Sequence, residues 1–191
     1  NLQRQIAHTL DRVGQPKVAS AAQAVHAINP EVQITAIAQR ADAALLECLV
    51  QQASVVLDCS DNYATRQAVN AACVRLGKPL VAGAVIRFDA QISVFDPRSE
   101  QSPCYACIFD PQAQFEEVAC STMGVFAPLV GVVGAMQAAE ALKLISGAGP
   151  SLAGRLLMLD GRRMEWSTLH AARNPACAVC GPGPGTGTTT G

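Results

Sequence analysis

Apolar and polar residues recur along the first half of the chain with two periods, one helical and one alternating. The helical period predicts a helix over Lys17–Ile28, started by Pro16 and ended by Asn29 and Pro30. Alternation predicts a strand over residues 32–38. The same patterns then predict a helix capped by Asp42 and ending at Gln52, a strand over residues 54–59, a helix over 62–76, and strands over 79–85 and 88–95. This order is typical of a doubly wound, Rossmann-like α/β domain with a largely parallel sheet.

The second half of the chain contains one long apolar segment. Residues 126–146 are interrupted by Gly131 and Gly134 and include Gln137 and Glu140. A membrane span rarely carries such residues, so we expect a buried helix and no span.

Two further strands are predicted on either side of an Asp-Gly turn dipeptide, over residues 154–159 and 164–169. We expect this hairpin to extend the sheet in antiparallel fashion. Residues 181–191 consist of Gly, Pro and Thr and predict a disordered tail. The expected organisation is therefore one domain over residues 1–180, followed by the tail.

Composition narrows the classes of function. The chain carries 14 basic and 15 acidic residues, with a net charge of -1 and no basic run, so nucleic acid is not an expected partner. Hydrophobic residues make up 50% and aromatic residues 4%, a balance that suits helices packed on a buried sheet. No secretory signal is recognisable, and we expect a cytoplasmic protein with no membrane partner. The chain starts with Asn1 and not with methionine, so we expect a fragment of a longer protein.

The cysteines include two Cys-x-x-Cys pairs. Cys104 and Cys107 lie in a Pro- and Gln-rich segment predicted as a loop, and Cys177 and Cys180 lie just before the tail. Two such pairs supply the four thiolates of a tetrahedral site, which predicts Zn²⁺ in a closed, structural role. A redox-active pair, a rubredoxin-like iron site and two disulfides remain as alternatives. We expect three other cysteines outside the pairs to be small buried residues, namely Cys48, Cys59 and Cys73.

Three polar segments contain groups suited to a nucleoside triphosphate. Arg4 can form paired hydrogen bonds with phosphate oxygens, and Lys17 can place a positive charge beside them. Asp61, at the end of a predicted strand, can hold Mg²⁺ or accept hydrogen bonds. Each residue also has a simpler explanation, because Arg4 and Lys17 could be surface charges and Asp61 could cap the following helix.

Five motifs occur in a fixed order between Asn1 and Cys180. They are Asn-Leu-x-Arg-Gln, Gly-x-x-Lys, Asp-Cys-Ser-Asp-Asn-x-x-x-Arg-x-x-x-Asn, and the two Cys-x-x-Cys pairs. The ordered set resembles the ThiF/MoeB/HesA family, the bacterial relatives of ubiquitin-activating enzymes. Family members begin with a Gly-rich strand-to-helix turn and an acidic residue that binds ribose, and neither is found in this chain.

The resemblance implies an enzyme, an ATP-dependent adenylyltransferase that acts on the C-terminal Gly-Gly of a small ubiquitin-like sulfur carrier. Residues 159–161 and 166–169 favour the thiamine-type carrier, with the molybdopterin-type carrier close behind. The resemblance further implies ATP, Mg²⁺ and Zn²⁺ as cofactors and a homodimer. A sulfur donor of the cysteine desulfurase or rhodanese type is a further expected partner.

The resemblance also assigns roles to individual residues. Asn1, Arg4 and Lys17 would contact the ATP phosphates, Asp61 would position Mg²⁺ or the reacting carboxylate, and Asn62 would line the nucleotide site. The wider ATP-binding segment comprises Asn1, Leu2, Gln3, Arg4 and Gln5. The zinc ligands would be Cys104, Cys107, Cys177 and Cys180.

Cys120 is the remaining candidate for a catalytic residue. It lies in a polar crossover just ahead of the long helix, where the helix N-terminus would favour a thiolate. In the resemblance, the thiamine branch carries a cysteine here that bonds covalently to the carrier, whereas the molybdopterin branch can carry one without needing it. A covalent role and a passive thiol both remain open. Candidate contacts for the carrier tail are Phe95, Phe109, Phe115, Val85 and Ile86.

Two other classes of function deserve comparison. A nicotinamide-dependent oxidoreductase shares the doubly wound fold but needs a glycine fingerprint, which these residues lack. A zinc-stabilised module that binds a ubiquitin-like partner without catalysis is the main alternative to the enzyme.

Overall fold

A computed structural model describes residues 1–112 and 123–182 of the chain. The chain forms two compact units, Asn1–Ala41 and Asp42–Gly191. The expected single domain over residues 1–180 stays a prediction. Most of the predicted disordered tail lies outside the described residues.

The first unit is built around one helix, α1 (Lys17–Ile28), as predicted. Its buried Ser20 is held from two sides, because His8 Nδ1 lies 2.9 Å from Ser20 Oγ and Arg12 Nη1 donates to the Ser20 carbonyl at 2.6 Å. The strand predicted over residues 32–38 is wrong, since these residues join no β-ladder within the described part of the chain. Alternation suits an extended backbone, but a strand forms only where a neighbouring strand completes its hydrogen bonds.

The second unit is a mixed five-stranded sheet with helices on both faces. Its strands are β1 (Val56–Asp58), β2 (Leu80–Ile86), β3 (Asp89–Phe95), β4 (Arg155–Asp160) and β5 (Glu165–His170). Its helices are α2 (Ala43–Gln52), α3 (Tyr63–Leu76), α4 (Tyr105–Ile108) and α5 (Ala127–Ser146).

The strands lie in the order β1-β2-β3-β4-β5. β1 and β2 are parallel and joined by α3, and the three remaining pairings are antiparallel. The α/β class, the antiparallel C-terminal strands and the predicted hairpin are therefore confirmed. Parallel pairing is limited to β1 and β2 within the described residues, which makes the sheet mixed.

Alternate residues of β2 separate two apolar layers. Leu80 and Ala82 pack with residues of α2 and α3 on one face. Val81 packs with Ile92 and Val94 on the other face, which α5 covers. Both faces of the first half of β2 are thus buried, as the apolar composition predicts.

Local sequence signals set the helix ends. The Asp42 carboxylate accepts a hydrogen bond from the Leu45 backbone N–H at 2.8 Å and caps α2 as predicted. At the end of α3, Gly77 adopts a φ of 62°, a left-handed conformation that favours glycine. The short helix α4 falls inside the segment predicted as a loop, because a single turn leaves no periodic signal in the sequence.

Helix α5 has one buried and one exposed face. Leu129, Val133 and Gln137 are buried against the sheet, whereas Leu142 and Ile145 are 66% and 62% exposed. The helix is confirmed, but its predicted burial holds for one face only. Among the described residues α5 alone is long and apolar enough to cross a membrane, a test that the core helix of a water-soluble protein also passes.

Candidate functional site

The loop that follows β1 presents Asp61 at the carboxyl end of a parallel strand, where open α/β sheets bind ligands. The buried carboxylate of Asp58 accepts a hydrogen bond from the Ser60 backbone N–H at 2.8 Å and turns the chain. Asp61 is exposed, and within the described part of its unit its carboxylate has no hydrogen-bond or ion-pair partner. An accessible carboxylate of this kind is the type of ligand that Mg²⁺ prefers.

Asn62, and not Asp61, caps helix α3. Its side-chain oxygen accepts a hydrogen bond from the Thr65 backbone N–H at 2.8 Å. The helix-cap explanation for Asp61 is therefore wrong. The cap occupies the Asn62 carbonyl, so its amide nitrogen is the side-chain group left for any contact with a nucleotide.

Buried Gln137 of α5 anchors the same loop through hydrogen bonds to the backbone. Its side-chain nitrogen donates to the Asp58 carbonyl at 2.9 Å and to the Val81 carbonyl at 3.3 Å, which ties the last residue of β1 to the first half of β2. Gly83 leaves room for this contact, because a Cβ there would lie 2.7 Å from Gln137 Oε1. Sequence reasoning used Gln137 only as evidence against a membrane span. Its position, two helical turns after Leu129 and one after Val133 on the buried face, is the signal that could have identified it.

The candidate phosphate-binding residues of the first unit lie close to one another. A cavity of about 170 Å³ is lined by Asn1, Leu2, Gln5 and Lys17 among others. Arg4 stands beside it and donates to Asn1 Oδ1 at 2.7 Å and to Gln3 Oε1 at 3.1 Å, so its guanidinium is held by its neighbours. The buried Gln5 Oε1 has no hydrogen-bond partner within this unit, which is the state expected of an acceptor that faces a ligand or water.

The two Cys-x-x-Cys pairs meet at one point, and we refer to Cys104, Cys107, Cys177 and Cys180 as the four-cysteine cluster. Its sulfur atoms all lie within 4.8 Å of one another. The separations are 3.8 Å for Cys104–Cys107, 3.7 Å for Cys104–Cys177 and 3.4 Å for Cys107–Cys180. A tetrahedral site with metal–sulfur bonds of about 2.3 Å has edges of about 3.8 Å, whereas a disulfide needs about 2.05 Å. The cluster fits a tetrahedral metal ion better than two disulfides.

Backbone and side-chain N–H groups point at the sulfur atoms. The N–H groups of Cys104 and Asn174 each donate to Cys107 Sγ at 3.4 Å, and Asn70 Nδ2 donates to Cys104 Sγ at 3.7 Å. Burial raises the pKa values of Cys104 and Cys180, whereas at Cys177 the N–H groups of Cys180 and Val179 and the neighbouring thiols outweigh burial and bring the pKa to about 7. N–H donors of this kind stabilise the thiolate form that binds metal.

Several residues lie in surroundings that differ from those predicted from the sequence. Three cysteines were predicted to be buried. Cys73 is buried, whereas Cys48 and Cys59 are exposed. Phe95 is 2% exposed inside the core, so it cannot contact a carrier tail as predicted. Cys120 and Phe115 lie outside the described residues.

Comparison with known proteins identifies close relatives. The chain matches the ThiF family over residues 1–179. It is 44% identical over 181 residues to the sulfur carrier protein ThiS adenylyltransferase of Escherichia coli K12, covering 95% of this chain and 71% of that protein. It is 43% identical over 183 residues to the molybdopterin-synthase adenylyltransferase of the same organism, covering 95% and 72%. The crystal structure of E. coli MccB with ATP shares the fold, with a TM-score of 0.79 at 23% identity, and the chain spans 56% of that protein.

We expect the purified protein to contain one zinc ion per chain, and Cys177→Ser to lose it. A missing ligand weakens metal affinity by at least about 100-fold and should lower the Tm by about 5–10 °C, because metal binding is coupled to folding. Elemental analysis and thermal unfolding measure both effects. Cys48→Ser, which removes an exposed thiol outside the cluster, is the matched control and should change neither. A wild-type protein whose Tm does not change when its metal is removed would contradict the prediction.

Proposed function

The chain belongs to the ThiF family, and from this premise we propose that it is an adenylyltransferase that activates a small ubiquitin-like sulfur carrier with ATP. The observation that carries the proposal is its identity of 44% and 43% to two enzymes named as adenylyltransferases of sulfur-carrier pathways. The accessible carboxylate of Asp61 in the loop after β1 adds support, because ligands of open α/β sheets bind at that edge of the sheet.

The proposed reaction is acyl adenylation. A carboxylate oxygen of the carrier's terminal glycine attacks the α-phosphorus of ATP, a new O–P bond forms, and the bond to the leaving pyrophosphate breaks. Arg4 and Lys17 neutralise phosphate charge, and Asn1 orients Arg4 through the hydrogen bond between their side chains. The chain contributes mainly positioning and charge neutralisation.

Two metal ions fit the residues present. Asp61 is the proposed ligand of Mg²⁺, which when bound would neutralise the charge that develops on pyrophosphate. The four-cysteine cluster is the proposed zinc site. Four protein ligands leave no open position on zinc, so its role is structural. We place both sites in one adenylyltransferase domain over residues 1–180.

The carrier is proposed to be of the thiamine type, with the molybdopterin type as the competing assignment. The preference rests on residues 159–161 and 166–169 of the β4–β5 hairpin, since the two E. coli relatives differ by one per cent in identity. We further propose a cytoplasmic location and a sulfur donor of the cysteine desulfurase or rhodanese type.

A second copy of the chain is the proposed partner of the exposed face of α5. The exposed residues of this face include Val132, Leu142 and Ile145 and carry no charge. Gly131 and Gly134 meet nothing within 4 Å of where a Cβ would lie, so the packing of the single chain does not require them. Small residues on an uncharged helix face allow two helices to approach closely.

We expect Leu142→Arg to convert a homodimer into a monomer, because a charge buried in an apolar interface loses its hydration. Light scattering after size-exclusion chromatography measures the mass. Met164→Arg changes an exposed apolar residue of the β4–β5 turn and should leave the dimer intact. A wild-type monomer at micromolar concentration would contradict the homodimer.

We expect the full-length protein to exchange labelled pyrophosphate into ATP only when a carrier ending in Gly-Gly is present. Asp61→Asn should lower this exchange by roughly 10²–10³-fold, since it removes the charge that the proposed metal requires. Glu47→Gln, which removes another exposed carboxylate, is the control. Parallel assays with thiamine-type and molybdopterin-type carriers test the preference. Tight carrier binding without any exchange would support the non-catalytic module instead.

The Cys120→Ser variant separates the two proposed steps, adenylation and formation of a covalent carrier adduct. Adenylation needs phosphate-binding groups and no thiol, whereas a covalent carrier adduct needs a thiolate. The variant should therefore keep pyrophosphate exchange and lose any reductant-sensitive carrier adduct that intact mass spectrometry detects with a sulfur donor present. An adduct that persists in the variant would make Cys120 a passive thiol.

A further inference from the structure

Asn70, in the middle of helix α3, makes two hydrogen bonds to the segment that carries the first cysteine pair. Its side-chain Oδ1 accepts from the Tyr105 backbone N–H at 2.9 Å, and its Nδ2 donates to Cys104 Sγ at 3.7 Å. The residue is 1% exposed. A buried amide is costly when its polar atoms lack partners, and that of Asn70 has a partner at each end.

The two contacts together fix the direction in which the amide of Asn70 points. A backbone N–H can only donate, so the atom that faces Tyr105 has to be the side-chain oxygen. The nitrogen of the amide is then the atom that faces Cys104 Sγ. Asn70 therefore presents an N–H group, and not a lone pair, to the sulfur atom.

An N–H group in this position suits a sulfur atom that binds metal. A cysteine ligates metal as a thiolate, which has no proton to donate and accepts hydrogen bonds. Four thiolates around one divalent ion leave an excess of negative charge in the site. N–H donors next to the ligands offset that charge and orient the ligating atoms.

Asn70 differs from the other N–H donors of the four-cysteine cluster described above, because its donor belongs to a side chain. Cys107 Sγ accepts from the backbone N–H groups of Cys104 and Asn174. A backbone N–H is present whichever residue occupies the position, proline excepted, whereas the donor on Cys104 Sγ depends on the residue at position 70. This position is therefore one at which the sequence can adjust the metal site.

We propose that Asn70 is a positioning residue of the metal site, which orients Cys104 and stabilises its sulfur as a ligand through the Nδ2–Sγ hydrogen bond. The inference rests on the proposed metal site and not on the proposed adenylation. It also ties the metal site to α3, the helix that begins at Tyr63 directly after the loop that carries Asp61.

Asn70→Asp in the full-length protein separates this role from a simple tether of the Tyr105 backbone. The carboxylate can still accept from the Tyr105 N–H, but it cannot donate to Cys104 Sγ and adds a negative charge beside it. We expect the variant loaded with zinc to release the ion to a colorimetric chelator at least about tenfold faster than wild type. A tether alone predicts the wild-type rate.

Asn70→Ala removes the donor without adding a charge and should also release zinc faster. With Co²⁺ in the site, the thiolate-to-cobalt charge-transfer band of both variants should move to longer wavelength, because a sulfur that loses a hydrogen bond holds its electrons less tightly. Gln67→Met is the matched control. Gln67 lies three positions earlier on the same face of α3 and bonds the same segment, but at the Phe109 carbonyl, so this variant should keep the wild-type rate and band.

A measurement on the wild-type protein does not depend on whether the variants fold. The site is loaded with an NMR-active isotope of cadmium, and asparagine is labelled with nitrogen-15. We expect scalar coupling across the hydrogen bond between the Asn70 side-chain amide and the metal. The backbone N–H of Asn174, which donates to Cys107 Sγ, should couple in the same spectrum and is the internal control.

Coupling from Asn174 without coupling from the Asn70 amide would overturn the inference. Folded Asn70→Asp and Asn70→Ala proteins whose zinc release stays within about twofold of wild type would also overturn it. A wild-type protein that binds neither zinc nor cadmium would overturn the metal site together with the inference. The pyrophosphate exchange described above tests adenylation separately, so the two failures are distinguishable.

Discussion

Four sulfur atoms from two distant parts of the chain have to converge on one point, and much of the second unit depends on that convergence. Cys104 and Cys177 are 73 residues apart in sequence, yet their sulfur atoms lie 3.7 Å apart. Helix α5 and the β4–β5 hairpin lie between them in the chain. Bringing the pairs together closes this long segment onto the core and holds Tyr105, between two of the cysteines, in the aromatic layer above the sheet.

The buried polar side chains of this unit are placed where loops need support. Asn70 accepts from the Tyr105 N–H, Gln137 donates to the carbonyls of Asp58 in β1 and Val81 in β2, and Glu140 accepts from the Leu152 N–H at 2.8 Å. A buried polar group without a partner is costly, so each of these contacts strongly favours one loop conformation. The loop after β1 is supported by two of the unit's helices, α3 and α5, which suits the proposed role of Asp61 as a metal ligand that must be held in place.

The first unit holds its charged groups in a similar way. Asn1 and Gln3 accept hydrogen bonds from Arg4, and Ser20 is bonded by His8 and Arg12. A guanidinium that is already oriented loses less side-chain entropy when it binds a phosphate. This local order is what the proposed phosphate-binding role of Arg4 requires.

Local signals in the sequence determined the helix ends at Asp42 and Gly77, the hairpin and the α/β class, because caps, turns and periodicity act over a few residues. The two cysteine pairs also predicted a tetrahedral metal site, since metal ligands have characteristic spacings in sequence. The strand expected over residues 32–38 failed, because alternation does not supply a neighbouring strand. The exposed face of α5 and the roles of Asn62 and Gln137 were decided only by tertiary structure. Which partner a side chain reaches depends on contacts between residues up to 79 positions apart, such as Gln137 with Asp58, and no local pattern encodes them.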